Sequence, residues 1–256
     1  YGNKLVALYN DKNLGFDGGV NTGIRWAMKN NCEYVALFNN DAVADKNWLR
    51  NLIAAAHSHK SGITTGLLLR EDGKTIDSSG DWFSKWGLGF PRSRGDKTAD
   101  APEGDYVFGA TGGATIFSIP MLRKIGIFDE DFFAYYEDID ISFRAQLAGW
   151  KVYYEPSAVA YHKLGQTSNR MSSGFAVYQT FKNLPLVYLK NVPRELLFSI
   201  GIRFYTAYWL MVGHAIVRGR GWPAIKGVFA SFWLGFGALG KRRKIQKAKR
   251  VNTDYI

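Results

Sequence analysis

One cysteine, Cys32, stands in 256 residues, so the chain can close no internal disulfide. No Cys/His cluster has the spacing of a structural zinc site. Both features fit a reducing, cytoplasmic setting. Acids are nearly missing from the last third, where residues 181–256 carry 14 Lys and Arg against only Glu195 and Asp254. Long uncharged runs are missing too. Phe204–Val217 spans 14 residues, short of the roughly 20 that a spanning helix needs. Neither G-x-G-x-x-G nor a Walker pattern occurs, which removes the usual dinucleotide and P-loop fingerprints and leaves Gly18-Gly19 reading as a turn. No internal repeat or low-complexity tract points to a solenoid or a disordered tail.

What is present divides unevenly. Residues 1–180 hold 19 basic side chains against 20 acids, a near-neutral body. Hydrophobic residues make up 46% of the chain, enough for one α/β domain with an appendage. The run Val35-Ala36-Leu37-Phe38 ends in Asn39-Asn40-Asp41 and predicts a strand buried on both faces. Ligands of open α/β sheets sit beyond the carboxyl ends of such strands. Lys4–Tyr9 predicts an earlier strand, Asn10–Gly19 a loop, and Ile24, Ala27 and Met28 a helix from about Asn21 to Asn30. Trp48, Leu49, Leu52, Ile53 and Ala56 mark a second helix. This order predicts a βαβ unit with parallel strands. Further strands are expected at Gly62–Leu69 and Ala114–Ser118, and a short helix from Pro120 to Lys124. Residues 70–104 read as loops with short strands. Lys151–Tyr154 and Ala158–Tyr161 read as two paired extended segments.

Asp41 and His162 each follow a predicted strand. One carboxylate and one imidazole, completed by diphosphate oxygens, suit Mg2+ or Mn2+. Glu137-Asp138 opens a helix in which Ile139, Phe143 and Leu147 share a face and Asp140 faces Arg144 one turn on. An acid there can serve as a general base. The helix dipole would lower the pKa of Asp138, whereas burial beside Phe132, Phe133 and Tyr136 would raise it. From about Ser172 the chain becomes helical, aromatic and basic. Seven cations fall within residues 241–250, as on a surface that meets anionic lipid or nucleic acid.

The ordered set Asn13-Leu14-Gly15-Phe16-x-Gly18-Gly19-x-Asn21-x-Gly23, Leu37-Phe38-Asn39-Asn40-Asp41, Gly126-x-Phe128-Asp129-Glu130-x-Phe132-Phe133, Glu137-Asp138-x-Asp140-x-x-x-Arg144 and His162 resembles family 2 glycosyltransferases, rhamnosyltransferase-like members above all. The likeness covers about residues 4–170. It implies a GT-A, Rossmann-like α/β fold: a mostly parallel sheet flanked by helices, here in residues 1–170; the aromatic, basic composition of 171–256 reads separately as a membrane-associating helical extension. It implies inverting transfer of a hexose, such as rhamnose, from a dTDP- or UDP-linked donor to a hydroxyl of a cell-surface glycan or lipid-linked acceptor. Asp138 corresponds to the catalytic base, with Glu137 beside it, and Asp41 and His162 to the holders of a divalent cation. Asn13, Gly18, Gly19, Asn21, Asn39, Asn40, Gly112 and Gly113 correspond to donor-binding positions. The family's first two strands have no counterpart ahead of Lys4. The resemblance therefore implies a fragment lacking on the order of 50 residues or more, the length of two strands and a helix. Residues 195–250 would meet the inner face of the cell membrane from the cytoplasm, and no nucleic-acid partner is expected. The alternatives are a nucleotidyltransferase of similar topology, or a non-enzymatic basic protein binding membrane or nucleic acid.

Overall fold

The computed structural model describes residues 5–163 and 173–255. Its elements run α1 (Gly15–Lys29), β1 (Tyr34–Phe38), β2 (Ala42–Ala44), α2 (Trp48–His59), β3 (Ile63–Arg70), β4 (Ile76–Ser78), β5 (Asp81–Phe83), β6 (Gly89–Pro91), β7 (Asp105–Val107), β8 (Ala114–Ser118), α3 (Ile119–Ile125), α4 (Glu137–Leu147) and β9 (Val152–His162). Three long helices follow: α5 (Ser173–Asn191), α6 (Leu197–Val217) and α7 (Gly221–Lys247). The main sheet has the order β1-β8-β3-β9-β2, with β4 added to β3 and β7 to β9, while β5 and β6 form a separate hairpin.

The expected α/β sheet flanked by helices is observed, but the ladder is mixed. Among the described residues β3–β9 is the one parallel pairing; β1–β8, β3–β8, β2–β9, β3–β4 and β7–β9 are antiparallel. Because β8 runs against both neighbours, β1, β3 and β9 point the same way and deliver their carboxyl ends to one rim.

Alternation along the strands sorts side chains into two layers. Leu67, Leu69 and Phe117 join Ile24 of α1, Met121 of α3 and Ile141 of α4 in one core. Leu68 and Ile116 join Trp48, Leu52 and Ala56 of α2 on the other face. In β9, Val152 and Tyr154 face the first layer, yet Ala158 and Ala160 face the second. Even spacing would keep all four together. The ladder explains the switch, since Gly66 pairs with Glu155 but Leu67 pairs with Val159. Pro156, Ser157 and Ala158 are bulged out, and an odd insertion flips the faces. Pro156 has no N–H to give the ladder. Gly66 is needed opposite, where an added Cβ would lie 1.9 Å from the Ala158 carbonyl oxygen. The two segments expected over 151–161 are therefore one bulged strand.

Three other expectations change. Leu5–Tyr9 forms no strand; Leu5 is 76% and Tyr9 90% exposed, and no strand among the described residues offers them a ladder. Lys4 lies outside the described residues, and the expected βαβ unit loses its first strand. The first helix begins at Gly15, six residues before Asn21, because the Asn13 side chain accepts the Gly15 N–H and carries Gly18 and Gly19 into helix instead of a loop. Strand β1 is not buried on both faces. Only Leu37 is, since among the described residues β1 pairs on one side alone.

The three C-terminal helices rest on α4. Phe143 and Leu147 of α4 pack with Phe181 and Tyr188 of α5 and Phe204 of α6. The boundary expected near residue 170 falls outside the described residues. Counting the short turn ahead of α6, Arg194–Val217 is the one helix among the described residues long and apolar enough to cross a membrane by length and composition. It exceeds the 14-residue uncharged run because it continues through Arg203.

Candidate active site

At the carboxyl rim, Asp41 sits in the tight turn between β1 and β2. The Ala42 N–H bonds to the Asn39 carbonyl (3.1 Å), and the Lys163 N–H bonds to the Asp41 carbonyl (2.9 Å). Pairing of Ala42 with His162 brings the end of β9 alongside. His162 Nε2 lies 3.2 Å from Asp41 Oδ1, and Nδ1 lies 3.0 Å from Asp77 Oδ2. Asp77, on β4, is buried and has Arg94 3.1 Å away. The Asp77 hydrogen bond raises the His162 pKa, with burial opposing. A carboxylate behind one ring nitrogen is the usual support of a metal-ligating histidine. It leaves Nε2 facing the Asp41 carboxylate. Among the described residues no three His, Cys, Asp or Glu form a ready cation cage, so Asp41 and His162 fit a cation that takes its remaining ligands from elsewhere.

The second half of the site is the start of α4. Phe133, Tyr135 and Tyr136 all adopt left-handed backbone, with φ of 64°, 70° and 70°. Each such residue costs about 1–3 kcal/mol and persists only when its surroundings enforce it. Helix α5 supplies the enforcement. Asn183 Nδ2 is 3.0, 2.8 and 2.7 Å from the carbonyl oxygens of Phe132, Ala134 and Tyr135. Lys182 Nζ donates to the Asp131 and Phe132 carbonyls. On the other side Gly15, at φ 73°, allows the Phe16 N–H to reach the Phe133 carbonyl at 2.7 Å; a Cβ there would be 2.4 Å from that oxygen. Asn183→Leu keeps the side-chain volume and removes the amide. It should lower stability by about 1–3 kcal/mol in urea unfolding.

Asp138 Oδ1 accepts its neighbour Ile139's N–H at 2.8 Å. Burial raises the Asp138 pKa, and backbone N–H groups, including that of Gly112, only partly offset it. Burial thus outweighs the helix terminus. Three buried carboxyls surround this group. Glu137 is held well above its usual range by burial and then by Asp138, and among the described residues its Oε2 has no hydrogen-bond partner. Asp17, in the first turn of α1, is pushed up to about 8 by burial and by Asp140, Asp129 and Asp138. Asp81, on β5, is pushed up to about 8 by burial and by Asp138.

The two halves meet at the entry to β8. The Asn39 N–H bonds to the Gly113 carbonyl (2.9 Å), and the Gly112 N–H lies near enough to Asp138 to lower its pKa. Phe16 lies against Gly112. Asn39, Asp41, Gly112, Gly113, Asp138 and His162 therefore share one rim. Residues 2–126 match the family model described as Glycosyl transferase family 2. That stretch, just under half of the chain, is similar to a family 2 glycosyltransferase domain.

Over 215 residues the chain is 28% identical to the low-salt glycan biosynthesis hexosyltransferase Agl10 of Haloferax volcanii, covering 80% of this chain and 66% of that protein. A crystal structure of GalNAc-T7 with UDP, GalNAc and Mn2+ aligns over 82% of this chain and 45% of its own, with 15% identity and a TM-score of 0.47. The chain thus spans less than two thirds of either protein's length. Within the matched stretch the other sequence candidates are placed differently. Asn21 is fully buried, and its amide bonds to both the N–H and the carbonyl of Phe128 and to Glu130. It brackets α1 to the turn before α4 and has no group left for a ligand at the rim. Asn13 is used at the start of α1. Gly18 is buried against Leu14, whereas Gly19 and Asn40 are exposed. Asp77, Asp81 and Asp17 were not singled out from the sequence. The first two lie in the stretch read as loops, and an acid on a short strand between Ile76 and Ser78 was the available signal.

Proposed function

We propose that the protein transfers a hexose, rhamnose being one option, from a dTDP- or UDP-linked donor to a hydroxyl of a glycan carried by a lipid, with inversion at the anomeric carbon. The observation that supports this reading best is the shared rim itself: Asp41 with His162 at one end, Asp138 at the other, and Gly112-Gly113 between them. The Asp138 carboxylate takes the proton of the acceptor hydroxyl. That oxygen bonds to C1 of the donor sugar as the bond from C1 to the diphosphate oxygen breaks, and the nucleoside diphosphate leaves with the electron pair. Asp41 and His162 would hold a divalent cation, Mg2+ or Mn2+, which offsets charge on the diphosphate when bound. Asp77 fixes the His162 ring for that role. The basic, aromatic α6 and α7 set the domain against the anionic inner face of the membrane, where Trp and Phe enter the interface and Lys and Arg meet headgroups.

The test is a calorimetric titration of UDP and dTDP into the full-length protein with Mn2+ present, followed by donor hydrolysis. Asp41→Ala and His162→Ala should each weaken Mn2+-dependent nucleotide binding by about 10–100-fold, the range seen for disturbed metal sites. Unchanged binding in both variants would remove the cation role.

A further inference from the structure

A cleft of about 710 Å3 lies between α5 and the end of α6, away from the Asp41–His162 rim. That volume is within the range of about 300–1,000 Å3 typical of organic ligand sites. Its walls are Ala176, Val177, Phe181, Leu210, Met211 and Ala215, and its polar groups are Thr180, His214, Arg218 and Arg220. Among the described residues neither arginine forms an ion pair. Among the described residues no acid lines the cleft. An apolar trough ending in two unpaired guanidinium groups is complementary to a molecule with a hydrocarbon chain and a phosphate.

Two connections relate this cleft to the reacting groups. Phe175 packs against Phe133 and Tyr135 with ring centroids 6.1 and 6.3 Å apart, and Asn183 holds the Tyr135 carbonyl. The cleft-lining turns of α5 thus lie between two contacts with the strained turn that presents Asp138. Leu210 belongs to the cleft and is also 70% exposed on the outer face of α6, beside Trp209 at 56%. One wall of the cleft is therefore continuous with the apolar outer surface of α6.

We infer that this cleft binds the phosphate-bearing hydrocarbon tail of the acceptor, with Arg218 and Arg220 on the phosphate and the chain along Val177, Phe181 and Met211. The inference deepens the reading of the protein as a transferase with a lipid-linked acceptor and rests on it for the identity of the occupant. Dodecyl phosphate is the probe, titrated into the full-length protein, with inorganic phosphate and the uncharged dodecyl maltoside as comparison arms. A dodecyl phosphate carrying a chain-terminal diazirine reports the place of binding by crosslinking and mass spectrometry. Crosslinks should fall on α5 and α6 around Val177, Phe181 and Met211. Met211→Trp, which fills the trough, and the double variant Arg218→Ala/Arg220→Ala should each weaken dodecyl phosphate binding at least tenfold, with little change for the maltoside in the arginine variant. Crosslinks confined to Phe229–Phe236 on α7, or equal affinity in all three proteins, would overturn the inference. So would inorganic phosphate competing fully, which would mark an anion site with no use for the chain. Donor hydrolysis by the unmodified protein is measured separately. Its absence would count against the transferase reading while leaving an alkyl phosphate site standing.

Discussion

Asp138→Asn should lower the rate of sugar transfer by about 100- to 10,000-fold, the range that a positioned general base supplies, while donor affinity is retained. The amide keeps the shape of the carboxyl and its bond from the Ile139 N–H, but it cannot accept a proton from the acceptor. The pH profile adds a second, independent readout. Burial holds the Asp138 pKa above the ordinary 3.8, and the carboxyls of Glu137, Asp17 and Asp81 lie close by. The base works only when ionised, so activity should rise with pH through a limb displaced above the usual aspartate range. Because these acids titrate together, the limb belongs to the group and not to Asp138 alone. The residual rate of Asp138→Asn should lack it. Glu137→Gln is the control, since Glu137 is buried and among the described residues its Oε2 has no hydrogen-bond partner. It should keep most of the activity and leave the limb near its place, because Asp138 raises the Glu137 pKa and so ionises first. Full activity in Asp138→Asn with a large loss in Glu137→Gln would exchange the two roles.

The contrast between these two acids shows how far the sequence could be read. Periodicity located α2 and α4, whose apolar residues fall at 3.6-residue spacing, whereas β3 and β8, buried on both faces, were legible as short stretches beside glycine turns, and α3 by its leading Pro120. The meeting of Asp41 with His162 also followed from position, since both end strands that reach one rim. Tertiary effects were not legible. The start of α1 depends on one Asn13 hydrogen bond, and an expected loop became helix. The face switch in β9 depends on a three-residue bulge opposite Gly66, and apolar content alone showed only two extended pieces. Asp77, Asp17 and Asp81 look like ordinary surface acids until strands and helices enclose them. The support of the α4 start by Asn183 is less legible still, because that residue lies 45 or more positions away in a segment whose composition speaks of membranes.

Lys190→Met should destabilise the protein by about 3–5 kcal/mol at pH 7, the usual cost of leaving a buried charge without its partner. Lys190 is 2% exposed. It bridges Asp129 and Asp140, its Nζ lying 2.7 Å from Asp140 Oδ1 and over the Phe132 ring at 4.7 Å. Methionine fills similar space, so the loss is electrostatic. Each carboxylate keeps one further cation, Lys241 on Asp129 and Arg144 on Asp140, which limits the effect. Burial pushes both aspartates up, and their cationic partners, Lys190 first among them, more than reverse this, leaving both below their ordinary 3.8. A depressed pKa contributes stability that is fully present above the unfolded value and is lost as pH falls through the folded one. Urea unfolding of the two proteins should therefore show the full gap at neutral pH and a narrowing gap as pH approaches and passes below about 4. A gap that stays constant with pH would assign the loss to packing. The pair also joins the helical region to the first turn of α4, the turn that holds Asp138. Activity of Lys190→Met should therefore fall on warming before the global unfolding signal moves.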